Sequence, residues 1–165
     1  MADRTITERL QPSFLDRLTD EAPGETTEGR DRRVIDVRRL REIVRRDLSW
    51  LLNTTNRDDQ IDAENYPNVA RSTLNYGVRE VTGEYSTRDR AARIRESIRH
   101  AVELYEPRVR KGTLEIVERK EENTAQSVVV FDIIADMWAL PLPMELYLRS
   151  EIDVTTGQLH LEQKG

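Results

Sequence analysis

The sequence predicts an α+β domain, with helices packed on an antiparallel sheet of about four strands behind a flexible amino-terminal arm. Three observations lead there. Two long stretches, 34–52 and 86–105, carry apolar residues at helical spacing. The carboxy-terminal third has alternating or continuous apolar runs separated by polar turns. The first 33 residues are mostly polar, with one small apolar cluster. This divides the chain into an arm and linker, 1–33, and a folded domain, 34–165.

In the arm, Pro12-Ser13 can start a short helix that sets Phe14, Leu15 and Leu18 on one face. Thr19 to Arg33 is rich in Glu, Asp, Gly, Thr and Arg, buries too little to order itself and reads as a linker. Two uses of the cluster stay open. It can fold back over its own domain, or it can dock on a partner and gain affinity from its tether.

Between Val34 and Leu52, the side chains of Leu40, Ile43, Val44, Leu48, Leu51 and Leu52 form an apolar stripe, with Trp50 near its edge. Arg38, Arg41 and Arg45 fall on another face. Interleaved Glu42 and Asp47 favour a solvated face or an anionic protein partner over nucleic acid. Asn53 to Tyr85 lacks sustained periodicity. A short helix is expected around Val69 to Leu74, followed by a sharp turn, since Asn75 and Gly77 can both take positive φ.

The second helix is expected to start near Ser86 or Thr87, where Ser86 and Asp89 match a capping box, and to bury Ile94, Ile98, Ala101, Val102 and Tyr105. Pro107 stops it at about Tyr105, because proline lacks an N–H and disfavours the helical region for the residue before it. The chain then reads as extended from Glu106, with Glu106 and Arg108 on one side of a rigid corner. Leu114 and Ile116 begin the first strand, and Glu121 to Thr124 make a polar hairpin connection. The run from Ser127 to Trp138 is nearly all apolar and predicts a central strand covered on both faces; Pro141 and Pro143 break it. Met144 to Val154 alternates, with Leu146, Leu148, Ile152 and Val154 inward and Glu145, Tyr147, Arg149, Glu151 and Asp153 outward. Thr155-Thr156-Gly157 turns the chain into a last short strand with Leu159 and Leu161.

Composition narrows the function. At 165 residues the chain suits one domain with a tail. A net charge of -5 weighs against a general nucleic-acid binder, which needs a basic surface. The absence of cysteine excludes disulfides and thiolate metal sites. There is no glycine-rich phosphate loop, and His100 and His160 lack metal-ligand spacing, so no cofactor or metal is expected. No run reaches membrane-spanning length and the polar start lacks a secretory apolar core, so a cytoplasmic location is expected, without membrane insertion.

Several segments in one order carry a family resemblance. They are Ser13 to Leu18, Arg46 to Thr54, Ser72 to Gly77, the helix ending in Tyr105-Glu106-Pro107-Arg108, and the strands with Trp138 and Pro141-Leu142-Pro143. Together they resemble the lysozyme-like baseplate wedge proteins of contractile-tailed phages and their type VI secretion counterpart, the TssE family; Ser13 to Leu18 favours the secretion branch. The resemblance implies a structural baseplate subunit. It would bind larger wedge proteins (TssF/TssG-like and TssK-like) and offer a platform on which sheath subunits (TssB/TssC-like) polymerise. It also implies that the carboxy-terminal sheet resembles the part of the sheath subunit through which neighbours link strands. The exposed edge nominated for this is the last strand, Gln158 to Glu162. Glu106, Pro107 and Arg108 would be the signature corner, with Arg108 partly buried on a shared surface and its contacts completed by a partner. The corner can equally brace its own domain as a buried pair.

The lysozyme-like label raises the alternative of a peptidoglycan hydrolase. Such an enzyme needs two carboxyl groups about 5–9.5 Å apart across a cleft. Glu106 with Asp132 or Asp136 is the best pair the sequence offers. Arg108 beside Glu106 favours the charged carboxylate, the wrong direction for a general acid. The chain therefore reads as a non-enzyme, with partner-binding residues Glu106, Pro107, Arg108, Phe14, Leu15 and Leu18.

Overall fold

The computed structural model describes residues 13–20, 23–24, 26, 35–80, 87–119, 127–138 and 144–163. Among the described residues, four helices precede the sheet: α1 (Phe14–Leu18), α2 (Val37–Leu52), α3 (Pro67–Ala70) and α4 (Thr87–Tyr105), with a 3-10 turn at Thr73–Asn75. The strands β1 (Glu115–Arg119), β2 (Val128–Met137), β3 (Met144–Asp153) and β4 (Leu159–Gln163) pair antiparallel in the order β1-β2-β3-β4. The fold is α+β, as the patterning predicts. The expected serine cap of the second helix, the 121–124 connection and the breaks at 141 and 143 lie outside the described residues.

The two long helices cover one face of the sheet. Asp36 caps α2 by accepting from the Arg39 N–H at 2.7 Å, and the helix buries the six residues of the predicted stripe. From α4 come Ala91, Ile94, Ile98, Ala101 and Val102. Strand alternation supplies the other half of the core: Phe131, Ile133, Ala135 and Met137 from β2, and Leu146, Leu148 and Ile152 from β3.

The central strand departs from expectation. Its core-facing positions meet the helices, but Val128, Val130, Asp132, Ile134 and Asp136 lie on the opposite face, where among the described residues no helix packs. What covers that face is side chains of the sheet itself. Asp132 is fully buried there beneath Arg119 (Nε to Oδ2, 2.5 Å), Arg149 (Nε to Oδ1, 3.1 Å) and the Tyr147 hydroxyl (2.9 Å). An apolar run can thus mark a strand whose second face is closed by cross-strand charge pairs as well as one sandwiched between layers.

The long connection after α2 is ordered by one amide. Asn75 lies in the 3-10 turn and has no positive φ; among the described residues only glycines do, Gly77 (124°) included. Buried Asn75 donates to Asp58 Oδ1 (2.6 Å) and the Ala70 carbonyl (2.9 Å) and accepts from the Arg57 N–H (2.9 Å). Beside it Gly77 passes so close to the chain leaving α2 that a Cβ would stand 2.2 Å from the Thr54 carbonyl oxygen, and this lets Thr55 and Val78 bridge.

Candidate functional site: the Glu106-Pro107-Arg108 corner

The α4 helix ends where proline chemistry requires. The Glu106 N–H still reaches the Val102 carbonyl at 3.0 Å, closing the final turn. Pro107 then opens a four-residue turn, closed by the Val109 N–H donating to the Glu106 carbonyl at 3.1 Å. The chain therefore folds tightly here, where the sequence predicted an extended exit past the proline. Val109 next bridges Met137 at the end of β2, supported by Trp138 N–H to Arg108 O (2.7 Å) and Arg110 N–H to Asp136 O (2.8 Å). Helix, turn and central strand are thus tied together within a few residues.

That tie orients two opposite charges. Glu106 is buried, Pro107 is exposed and Arg108 is half-buried. Arg108 Nε donates to Glu106 Oε1 at 2.6 Å and Nη2 to Oε2 at 2.5 Å, a bidentate pair, while the Arg108 backbone N–H adds a bond to Oε1 at 3.0 Å. Nη2 also reaches Asp47 Oδ2 on α2 at 2.7 Å. Burial weakens the charged form of Arg108, but the hydrogen bonds and charges of Glu106 and Asp47 outweigh it, and its pKa is raised. In the isolated chain, then, Arg108 makes its contacts internally, where the sequence reading left their completion to a partner. Two carboxylates converge on it because α2 and the turn meet at this point.

Asp47 is the member of this site that sequence reasoning missed. It lies among interleaved charges on a helix face, 61 positions from Arg108, and its spacing carries no signal. Tyr76 and Tyr105 pack edge-to-face nearby, ring centroids 5.3 Å apart, and the Tyr105 hydroxyl donates to the Ser72 carbonyl (2.9 Å).

Phe14, Leu15 and Leu18 lie on α1, capped by Ser13, and all three are exposed; the helix buries none of its residues. It reaches the domain through Asp16, whose Oδ1 is 2.6 Å from Arg46 Nη1. The structure thus brings the arm near the corner through its polar side and leaves its apolar side outward. Trp50 is exposed beneath Arg46, whose guanidinium carbon is 4.8 Å from the ring centroid. The supposed arginine stripe divides: Arg38 pairs with Glu42 at 3.4 Å, and Arg45 points to the Leu161 carbonyl at 3.5 Å.

The nominated strand edge is partly occupied, at Leu159. Asn53, at the carboxy end of α2, accepts from the Leu159 N–H and donates to its carbonyl, both at 2.9 Å, as a neighbouring strand would. Sheet order leaves β1 as the other edge, with Glu115, Val117, Glu118 and Arg119 exposed.

Two of the three carboxylates of the hydrolase alternative are engaged elsewhere. Glu106 is held by Arg108 at the end of α4, and Asp132 by two arginines and a tyrosine on the far face of the sheet. Among the described residues no group of three or more histidine or acidic side chains is placed to hold a metal ion, and no helix is long and apolar enough to cross a membrane.

The family described as baseplate wedge protein gp25 matches residues 38–142, more than half of the chain, and its span includes α4, all but the first residue of α2, the corner and the central strand. The chain belongs to this family. No curated protein and no solved structure matches it. Within the wedge protein family the chain is a structural baseplate component of a contractile tail. Ser13 to Leu18 and β3–β4 lie outside the matched span.

Proposed function

We propose that this wedge protein is the TssE-type subunit of a type VI secretion baseplate. It works by binding rather than catalysis, holding TssF/TssG-like and TssK-like wedge proteins and starting the polymerisation of TssB/TssC-like sheath on the cytoplasmic side. The observation that carries this reading is the corner inside the family match. A proline turn fixes a bidentate Glu106–Arg108 pair against α2, with Pro107 exposed beside it. A preorganised, half-exposed arginine loses little entropy when a partner packs on it. The arm supplies a second contact through Phe14, Leu15 and Leu18, each of which would gain by leaving water. For strand linkage to the sheath, β1 offers the less encumbered edge, since Asn53 already holds Leu159 on β4.

The test is co-purification of the tagged full chain from cells that assemble the machine, with partners identified by mass spectrometry. Wedge and sheath proteins captured by wild type, and lost when Pro107 is replaced by Ala together with Arg108→Gln, are the expected result. Capture undiminished by that double substitution would remove the corner from the interface.

A further inference from the structure

Five charges of alternating sign run without a break from the arm to the corner. Asp16 Oδ1 meets Arg46 Nη1 at 2.6 Å; Arg46 Nε and Nη2 reach Asp47 Oδ1 at 3.0 and 2.7 Å. Asp47 Oδ2 then takes Arg108 Nη2 at 2.7 Å, and Arg108 closes on Glu106. Asp47 divides its two oxygens, one to each arginine. It cannot turn toward one without releasing the other. Arg46 is shared in the same way between Asp16 and Asp47.

A five-residue helix does not hold itself together in water. Here α1 has a serine cap and is tied to α2 through Asp16 and Arg46, and its apolar side chains stand 77% (Phe14), 48% (Leu15) and 67% (Leu18) exposed. The charge of Asp16 is spent inward on Arg46, so the side turned outward is dominated by three apolar groups at i, i+1 and i+4. That arrangement fits an apolar groove on a partner protein, the helix-in-groove mode.

We propose that Asp47 is a positioning residue that joins arm and corner: by holding Arg46 toward Asp16 and Arg108 toward Glu106, it presents α1 at a set place beside the corner, ready to enter an apolar groove of a wedge partner. The identity of that partner rests on the proposed baseplate function. The relay itself is a property of the free chain. It makes arm order depend on a residue two ion pairs away, and coupling of this kind is reciprocal.

The experiment uses the full chain without partner. In Asp47→Asn and in Arg108→Gln, amide hydrogen exchange of residues 14–19 is expected to be at least about threefold faster than in wild type, because the arm opens locally when its tether loosens. The reverse reading starts from the arm helix, which buries none of its residues, so loss of folding is not a concern. Asp16→Asn is expected to shift the Arg108 Nε–H resonance, and Asp16→Glu to restore it. Arm exchange that stays at the wild-type rate in Asp47→Asn and Arg108→Gln, while Arg46→Gln alone accelerates it, would overturn the relay. So would an Arg108 Nε–H signal unmoved by Asp16→Asn. In partner capture, Asp47→Asn is expected to lose as much wedge protein as Phe14→Ala; full capture with a loosened arm also sinks the proposal. Failure of wild type to capture any wedge protein would count against the baseplate reading, whereas the exchange and resonance data judge the relay alone.

Discussion

Arg108 grips Glu106 with both its side chain and its own backbone N–H, at 2.6, 2.5 and 3.0 Å, across a single intervening proline. With Glu106 buried and Arg108 a quarter exposed, the two ends of the pair are unequal. Removing the arginine strands a charge in the interior. Removing the acid leaves a guanidinium that still has Asp47 and some water.

Arg108→Ala is therefore expected to destabilise the isolated domain by about 3 kcal/mol, the lower end for breaking a buried pair. Glu106→Gln, which keeps its shape and some of its hydrogen bonds, is expected to cost about 1–2 kcal/mol. Urea unfolding of the two variants beside wild type measures both. Equal losses below about 1 kcal/mol would mean that the pair behaves as a solvated surface bridge.

Gly77→Ala tests the close approach of Gly77 to the chain leaving α2. The added Cβ would stand 2.2 Å from the Thr54 carbonyl oxygen, at a φ of 124° that alanine rarely adopts. Strain alone contributes about 1–3 kcal/mol and the backbone contact adds to it. Thermal unfolding should show a clear fall in midpoint, with loss of amide protection at Val78. A midpoint within error of wild type would show that Gly77 can move away from Thr54.

Acid should unfold the protein partly through Asp132. Burial would raise its pKa, but hydrogen bonds from Arg119, Tyr147 and Arg149 prevail and hold it below the usual carboxylate range. A carboxylate with a depressed folded pKa contributes stability above its unfolded value, near 3.8, and that contribution is lost as pH falls through the lower folded value. Asp16, lowered by Arg46 and Ser13 against burial, adds in the same direction. Asp132→Asn should thus be less stable than wild type at neutral pH and show a shallower loss as pH falls below about 4. Parallel acid limbs would rule out Asp132 as a source of the acid sensitivity.

Removing residues 1–30 should leave a cooperatively folding domain. The arm helix buries none of its residues, and the Asp16–Arg46 pair it takes away has a half-exposed arginine, so the stability change is expected within about 1 kcal/mol. Calorimetry on the truncated chain checks this. A non-cooperative transition would place the arm within the core.

Purified protein should release no muropeptides from peptidoglycan beyond a buffer control, because two of the three candidate carboxylates, Glu106 and Asp132, are ion-paired and Asp132 is sealed from solvent. Release that disappears in Glu106→Gln would overturn the structural reading in favour of a hydrolase.

The sequence by itself determined what depends on periodicity and on single-residue backbone chemistry. All six predicted core residues of α2 are buried, Pro107 ends α4 after Tyr105, and β3 alternates with Leu146, Leu148 and Ile152 inward. These are local properties: a helix repeats every 3.6 residues, a strand every two, and proline lacks a donor wherever it stands. Only the tertiary structure decided which polar groups meet. Asp47 comes to Arg108 across 61 positions, Asn53 to the edge of β4 across 106, and Arg46 to the arm across 30. In a chain with 57 charged residues, many Asp–Arg pairings are equally allowed by composition. The choice among them is made when the apolar faces of α2 and α4 close on the sheet. That closure brings Asp47 to the end of α4, where Pro107 has already turned Arg108 back onto Glu106.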